Sequence, residues 1–187
     1  MIALGNDVVD LSIAPKNGWN YFKRLKSYAF FDEECQLKES KDVSTKAFMQ
    51  TLWAMKEAVY KSSVKEGNRR RFVPKDFLIS SWVKSTEQIS ASVHWGSVSF
   101  NAIATLTSDY VHVLSKLPES KLDFKYEVRT CERTPSANVR RALIECHPGY
   151  QVNKDENGVP WLISTHGITK EVSISHHGRF VAFAFQS

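Results

Sequence analysis

Three short stretches of the chain hold residue types that could do chemistry. Asp7 lies inside an apolar run, IALGNDVV. A carboxylate there is costly unless it is paired or binds a cation, so Asp7 either ends a short strand or forms part of a site. In WAMKEAVYK, residues 53–61, Trp53, Glu57 and Lys61 are spaced by four and stack on one helix face. Glu57 followed by Lys61 is also an ordinary stabilising helical pair. Trp53 on the same stripe points instead to a partly buried site. In VSISHHGRF, residues 172–180, strand alternation puts Val172, Ile174 and His176 on one face and Ser173, Ser175 and His177 on the other. His176 among apolar neighbours is either a hydrogen-bonded core residue or a phosphate ligand. Imidazole, the Arg179 guanidinium and turn amides are all donors.

Other chemistries lack their signatures. The sequence contains no GxxxxGK[ST] loop, GxGxxG, HExxH or GxSxG. Cys35, Cys131 and Cys146 are odd in number and widely separated, which suggests neither a disulfide framework nor a zinc site. The 25 basic and 20 acidic residues among 187 leave a net charge of +5, which permits nucleic acid, an acidic protein or a polyphosphate as ligand. No apolar run approaches the roughly 20 residues of a membrane-spanning helix. The acidic N-terminus does not read as a signal peptide. A soluble, reduced, cytoplasmic protein is expected, with neither membrane nor nucleic acid as partner. The basic run Arg69–Arg71 beside Phe72 is the feature that would favour a nucleic-acid-binding module instead.

The elements that must position these residues follow from periodicity. Ile2–Asp10 reads as a buried first strand and Trp19–Ser27 as a helix. Asp32 reads as the N-cap of a short helix with Glu33 and Glu34 in its first turn. Ser44–Lys65 is the strongest helix, with Phe48, Leu52, Met55 and Val59 in one core-facing stripe. Phe77–Val83, Ile89–His94, Val98–Thr105 and Tyr110–Leu117 read as an antiparallel meander. Beyond a polar connection at Pro118–Asp123, Ser136–His147 reads as a second helix and Asn153–Gly158 as a turn. Val172–Phe185 reads as a strand pair around His177-Gly178. The expected fold is α+β, in two pseudo-symmetric halves spanning 1–117 and 118–187, each a small antiparallel sheet packed with a long helix.

Taken in order, GNDVVDL, WAMKEAVYK and VSISHHGRFVAFAF resemble the signature of the 4′-phosphopantetheinyl transferase superfamily: a Gly-x-Asp strand, a (W)xxKE(A/S)xxK helix and an S-x-S-H strand. Phe31 and Glu34 resemble the F-x-x-E segment that lies between the first two motifs. The resemblance implies Mg²⁺-dependent transfer of 4′-phosphopantetheine from coenzyme A to a serine of an acyl or peptidyl carrier protein. It assigns Asp7 and Glu57 to the metal, makes Glu57 a general base, and directs Lys61 to the phosphates. His176 and Ser175 would contact coenzyme A, with Arg133 as a candidate for its 3′-phosphate. Asp10 matches a position that is often acidic but should face away from Asp7. The position of a third carboxylate found in some relatives is Val9. The turn that reads G-K-P in the family reads Gly158-Val159-Pro160 here, and the arginine that follows the first motif in the trimeric enzymes is replaced by Ile13.

The small trimeric holo-acyl-carrier-protein synthases carry the motifs in this order but are shorter. The larger surfactin-synthetase-type enzymes are two fused halves in the reverse order. The chain therefore reads as a monomeric pseudodimer with swapped halves, a homotrimer being the alternative. A catalytically degenerate member that binds coenzyme A or a carrier protein is the rival within the family.

Overall fold

The computed structural model describes residues 3–13, 18–37, 43–67, 70–86, 88–120, 123–131 and 135–187. Strand β1 (Gly5–Asp10) leads through α1 (Gly18–Ala29) and α2 (Asp32–Gln36) into α3 (Thr45–Lys65). Then come β2 (Phe77–Ile79), β3 (Val83–Lys84), β4 (Gln88–Trp95), β5 (Val98–Leu106) and β6 (Tyr110–Lys116). The chain continues through β7 (Phe124–Thr130), α4 (Pro135–Cys146), β8 (Tyr150–Lys154), β9 (Pro160–Ser164), β10 (Thr169–His177) and β11 (Phe180–Gln186).

Two antiparallel sheets result. The first runs β1-β6-β5-β4-β2, with β3 also on β4, and the second runs β7-β11-β10-β9-β8. In both, the opening strand pairs with the closing one and the rest follow in descending order. Helix α3 crosses β1, β6 and β5, while α4 packs on β11, β8 and β10. The α+β architecture of two sheet-and-helix halves is as expected.

The expected stripe of α3 is buried throughout: Phe48, Leu52, Met55 and Val59 all lie in the first core with Phe77, Val93, Phe100 and Val113. Ser44 caps this helix, its Oγ accepting the Ala47 N–H at 3.1 Å. A smaller core under α4 gathers Val139, Leu143, Leu162 and Phe183.

Two local expectations are corrected and three strands are added. Phe31, not Asp32, is the N-cap of α2, and the Glu34 carboxylate takes the Phe31 N–H at 2.8 Å. The segment 77–83 is not one strand but ends at Ile79 and resumes as β3. Strands β7, β8 and β9 were not read from the sequence. Helix α4 falls where the second helix was expected, with 12 residues against 21 in α3.

Candidate functional site

The Gly-x-Asp and KEA segments meet where α3 crosses β1. A Cβ at Gly5 would overlap the Ala58 carbonyl oxygen and lie 2.6 Å from both Ser62 Oγ and Ser115 Oγ. Only glycine fits, and Ala58 opposite it is fully buried. This close crossing puts Asp7 beside Glu57, with the Trp53 side chain also next to Glu57. Lys61, one turn further along α3, donates to Asp7 Oδ1 and to the Asn6 carbonyl, each at 2.9 Å. Burial above all, and then the charge of Asp7, pushes the Glu57 carboxyl up to about 7, while Lys61 acts in the opposite direction. Asp7, Glu57 and Lys61 thus form one partly buried cluster of charged groups.

The neighbouring lysine of the motif has a different environment. Lys56 Nζ is buried, donating to Glu34 Oε2 and the Ala29 carbonyl at 2.8 Å each. Glu34 Oε1 accepts the Ile79 N–H at 2.8 Å. Glu34, the acid of the F-x-x-E segment, is therefore the counter-ion of Lys56. It also holds the start of α2 against the edge of the first sheet.

The other edge of β1 faces β10 of the second half through a series of side-chain acceptors. The N–H groups of Leu4, Asn6 and Asp10 donate to Glu171 Oε1, Ser173 Oγ and His177 Nδ1 at 2.7, 2.9 and 3.0 Å, always at a separation of 167 residues. The two segments run in the same direction. Accepting at Nδ1 leaves the proton of neutral His177 on Nε2. Lys65 Nζ joins the same seam, meeting Glu171 Oε1 at 2.7 Å, the Leu4 carbonyl at 2.6 Å and the Val172 carbonyl at 3.1 Å.

The remaining sequence candidates divide. Asp10 faces away from Asp7, as expected, and is clamped by Arg179 (Nε to Oδ2 2.9 Å, Nη2 to Oδ1 3.0 Å) and by Ser12. These donors hold its carboxyl well below the usual range. Ser175 is buried and donates to Asn6 Oδ1 at 2.6 Å, so its hydroxyl belongs to the seam. His176 is exposed on the opposite face of β10. Val9, at the third-carboxylate position, is in the first core. Arg133 lies outside the described residues. Phe72, which a nucleic-acid reading would need as an exposed platform, packs on Trp53, Tyr60 and Phe77 instead.

Two adjoining cavities form a trough between the halves. Lys61, Lys65 and Arg70 line the first, Arg140, Lys154 and His176 the second, and the two share Gly158, Pro160 and Ile174. Among the described residues no carboxylate lines either, so the trough presents cations alone. Asn6, Arg70, Lys65 and Glu171 escaped the reading of the sequence. Only Arg70 carried a signal there, as part of a charge run.

The two-half α+β fold thus sets a carboxylate pair beside a trough with basic lining. The model of the 4′-phosphopantetheinyl transferase superfamily matches residues 3–115, well over half of the chain, and the chain belongs to that superfamily. Membership implies a transferase with coenzyme A and a carrier protein as partners. The match takes in Asp7, Glu57 and Lys61 and ends before the second half. No curated protein and no solved structure matches the chain. Among the described residues no helix is long and apolar enough to cross a membrane.

Proposed function

We propose that the protein transfers the 4′-phosphopantetheine group of coenzyme A to a serine of an acyl or peptidyl carrier protein, releasing 3′,5′-ADP. The observation that carries this reading is the Asp7–Glu57–Lys61 cluster opening through Lys61 onto a trough lined by cations from both halves. Coenzyme A supplies a diphosphate and a 3′-phosphate that such a trough complements.

The donor set suits a divalent cation. Asp7 and Glu57 offer hard oxygen ligands already brought side by side. Among the described residues no group of three His, Cys, Asp or Glu is assembled, so the ion would rely on two carboxylates, with phosphate oxygens and water completing its shell. Bound there, Mg²⁺ would neutralise the diphosphate.

The chain's own residues do the rest. The carrier serine oxygen bonds to the phosphorus bearing the pantetheine arm, and the bond from that phosphorus to the bridging oxygen of ADP breaks. Glu57 takes the serine proton as general base, directly or through water. Lys61 balances charge on the phosphates and the departing ADP. His176, in the second cavity, holds a coenzyme A phosphate, and Ser175 contributes indirectly by fixing Asn6. Trp53 lies beside Glu57 on the same helix.

Residues 1–117 and 118–187 are read as two copies of one plan in swapped order. The matching strand orders support this, with β1, α3 and β6 standing to the first sheet as β7, α4 and β11 stand to the second. The trough draws lining from both, which suits a monomeric pseudodimer; light scattering that returns a trimer would refute it. The activity itself is tested by incubating the protein with coenzyme A, Mg²⁺ and apo carrier proteins, then weighing the carriers. A phosphopantetheine increment that EDTA and Glu57→Gln both abolish is the expected result. Coenzyme A binding without any increment across acyl and peptidyl carriers would identify a degenerate member.

A further inference from the structure

The turn Gly158-Val159-Pro160 brings no charge of its own to the trough, because Val159 is buried and apolar. A cation reaches it from the other half. The Arg70 guanidinium lies over Gly158: a Cβ there would meet Nη1 at 2.7 Å and both Cζ and Nη2 at 3.3 Å. With Nη1 nearer than Cζ, the terminal end of the guanidinium lies against the glycine, and the side chain also lines the first cavity. The backbone φ of +68° at Gly158 independently disfavours any side chain at that position.

The other two cations lining the first cavity already have carboxylate partners, Lys61 in Asp7 and Lys65 in Glu171. Among the described residues no carboxylate pairs with Arg70. A guanidinium without a carboxylate partner, lining a trough without carboxylates, has an anion as its chemical complement. Its planar fork matches two oxygens of one phosphate.

We infer that Arg70 is a specificity-determining residue that binds a phosphate of coenzyme A across the junction of the two halves, at the turn that lacks its own cation. This rests on the transferase reading above, which names the ligand. It also gives the loop after α3 a task in the reaction: the co-substrate is held jointly by the two halves.

The test is steady-state transfer to a saturating apo carrier protein with coenzyme A varied. Arg70→Ala should raise the KM for coenzyme A about tenfold or more, the loss of one charge-assisted contact, and lower kcat much less. Arg70→Lys, which keeps the charge and loses the fork, should recover part of the affinity. Gly158→Ala displaces the guanidinium, so the double variant Arg70→Ala/Gly158→Ala should bind coenzyme A no worse than Arg70→Ala alone. Dephospho-coenzyme A identifies the phosphate. An Arg70→Ala defect that disappears with it places Arg70 on the 3′-phosphate, and one that persists places it on the diphosphate. Thermal melts confirm that each variant is folded, and Arg70→Gln serves as a second neutral variant. Wild-type transfer with the KM of both neutral variants within about twofold of wild type would overturn the role of Arg70 alone. Wild-type protein that neither transfers nor binds coenzyme A would overturn the underlying reading, and this inference with it.

Discussion

Lys56 and Lys61 lie five positions apart on one helix, and each pairs with a carboxylate at nearly the same distance, 2.8 and 2.9 Å. Their surroundings differ. The side chains of the Lys56–Glu34 pair are 0% exposed on both partners, whereas Lys61 is 29% and Asp7 7% exposed. The inner pair is completed by backbone groups, Ala29 O on the lysine and the Phe31 and Ile79 amides on the glutamate. The outer pair has its carboxylate beside Glu57 and keeps its lysine on a trough wall. Contact distance therefore does not separate scaffold from site. What separates them is whether the pair is closed by the fold or remains open to a ligand.

The sharpest way to break this contrast is Glu57→Gln, which keeps the shape of the outer cluster and removes its base. Transfer should fall on the order of 10²- to 10⁴-fold with the melting temperature preserved; a large loss of stability instead would make Glu57 part of the scaffold. Lys56→Met should do the reverse. It leaves Glu34 buried without its cation and should cost roughly 3–5 kcal/mol in urea unfolding, while the properly folded fraction keeps its turnover.

A buried base without a counter-ion extends the comparison. His112 stacks on Tyr126, its Nε2 has no hydrogen-bond partner among the described residues, and burial holds its pKa down to about 4. Above pH 6.5 it is neutral both folded and unfolded and costs nothing. As pH falls from about 6.5 to 4 only the unfolded chain takes the proton, so stability should drop by up to about 3 kcal/mol and then level off. Denaturation midpoints of the wild type minus those of His112→Leu isolate this from the other titrating groups. The smallest effect belongs to Lys61→Ala: about tenfold in kcat/KM, but under about 1 kcal/mol in stability, because the pair is partly solvated. A stability loss equal to that of Lys56→Met would erase the distinction drawn here.

What could be read from the sequence follows the range of the interactions. The stripe Phe48, Leu52, Met55 and Val59 and the alternation of Ser173, Ser175 and His177 against Val172, Ile174 and His176 are local periodicities, and the structure honours both. The meeting of Asp7 with Glu57 was accessible through resemblance, though not its cause, the bare Cα of Gly5 against Ala58. Strand β7 was hidden because its charged positions, Lys125 and the ion-paired Glu127 and Arg129, gave FKYEVRT the look of a polar linker. The partners of Lys56, Lys65 and Arg70 lie 22, 106 and 88 positions away, in other elements, and no local pattern points to them.

The seam between β1 and β10 has a consequence for assembly. Its acceptors sit at alternate positions, so sliding β10 by one residue would offer the β1 amides Val172 and Ile174 in place of Glu171 and Ser173. Those aliphatic side chains accept no hydrogen bond, and buried amides left empty are costly. A misaligned docking of the halves is thus rejected one donor at a time. The interface verifies its own alignment before Asp7 and His176 can contribute to a common trough.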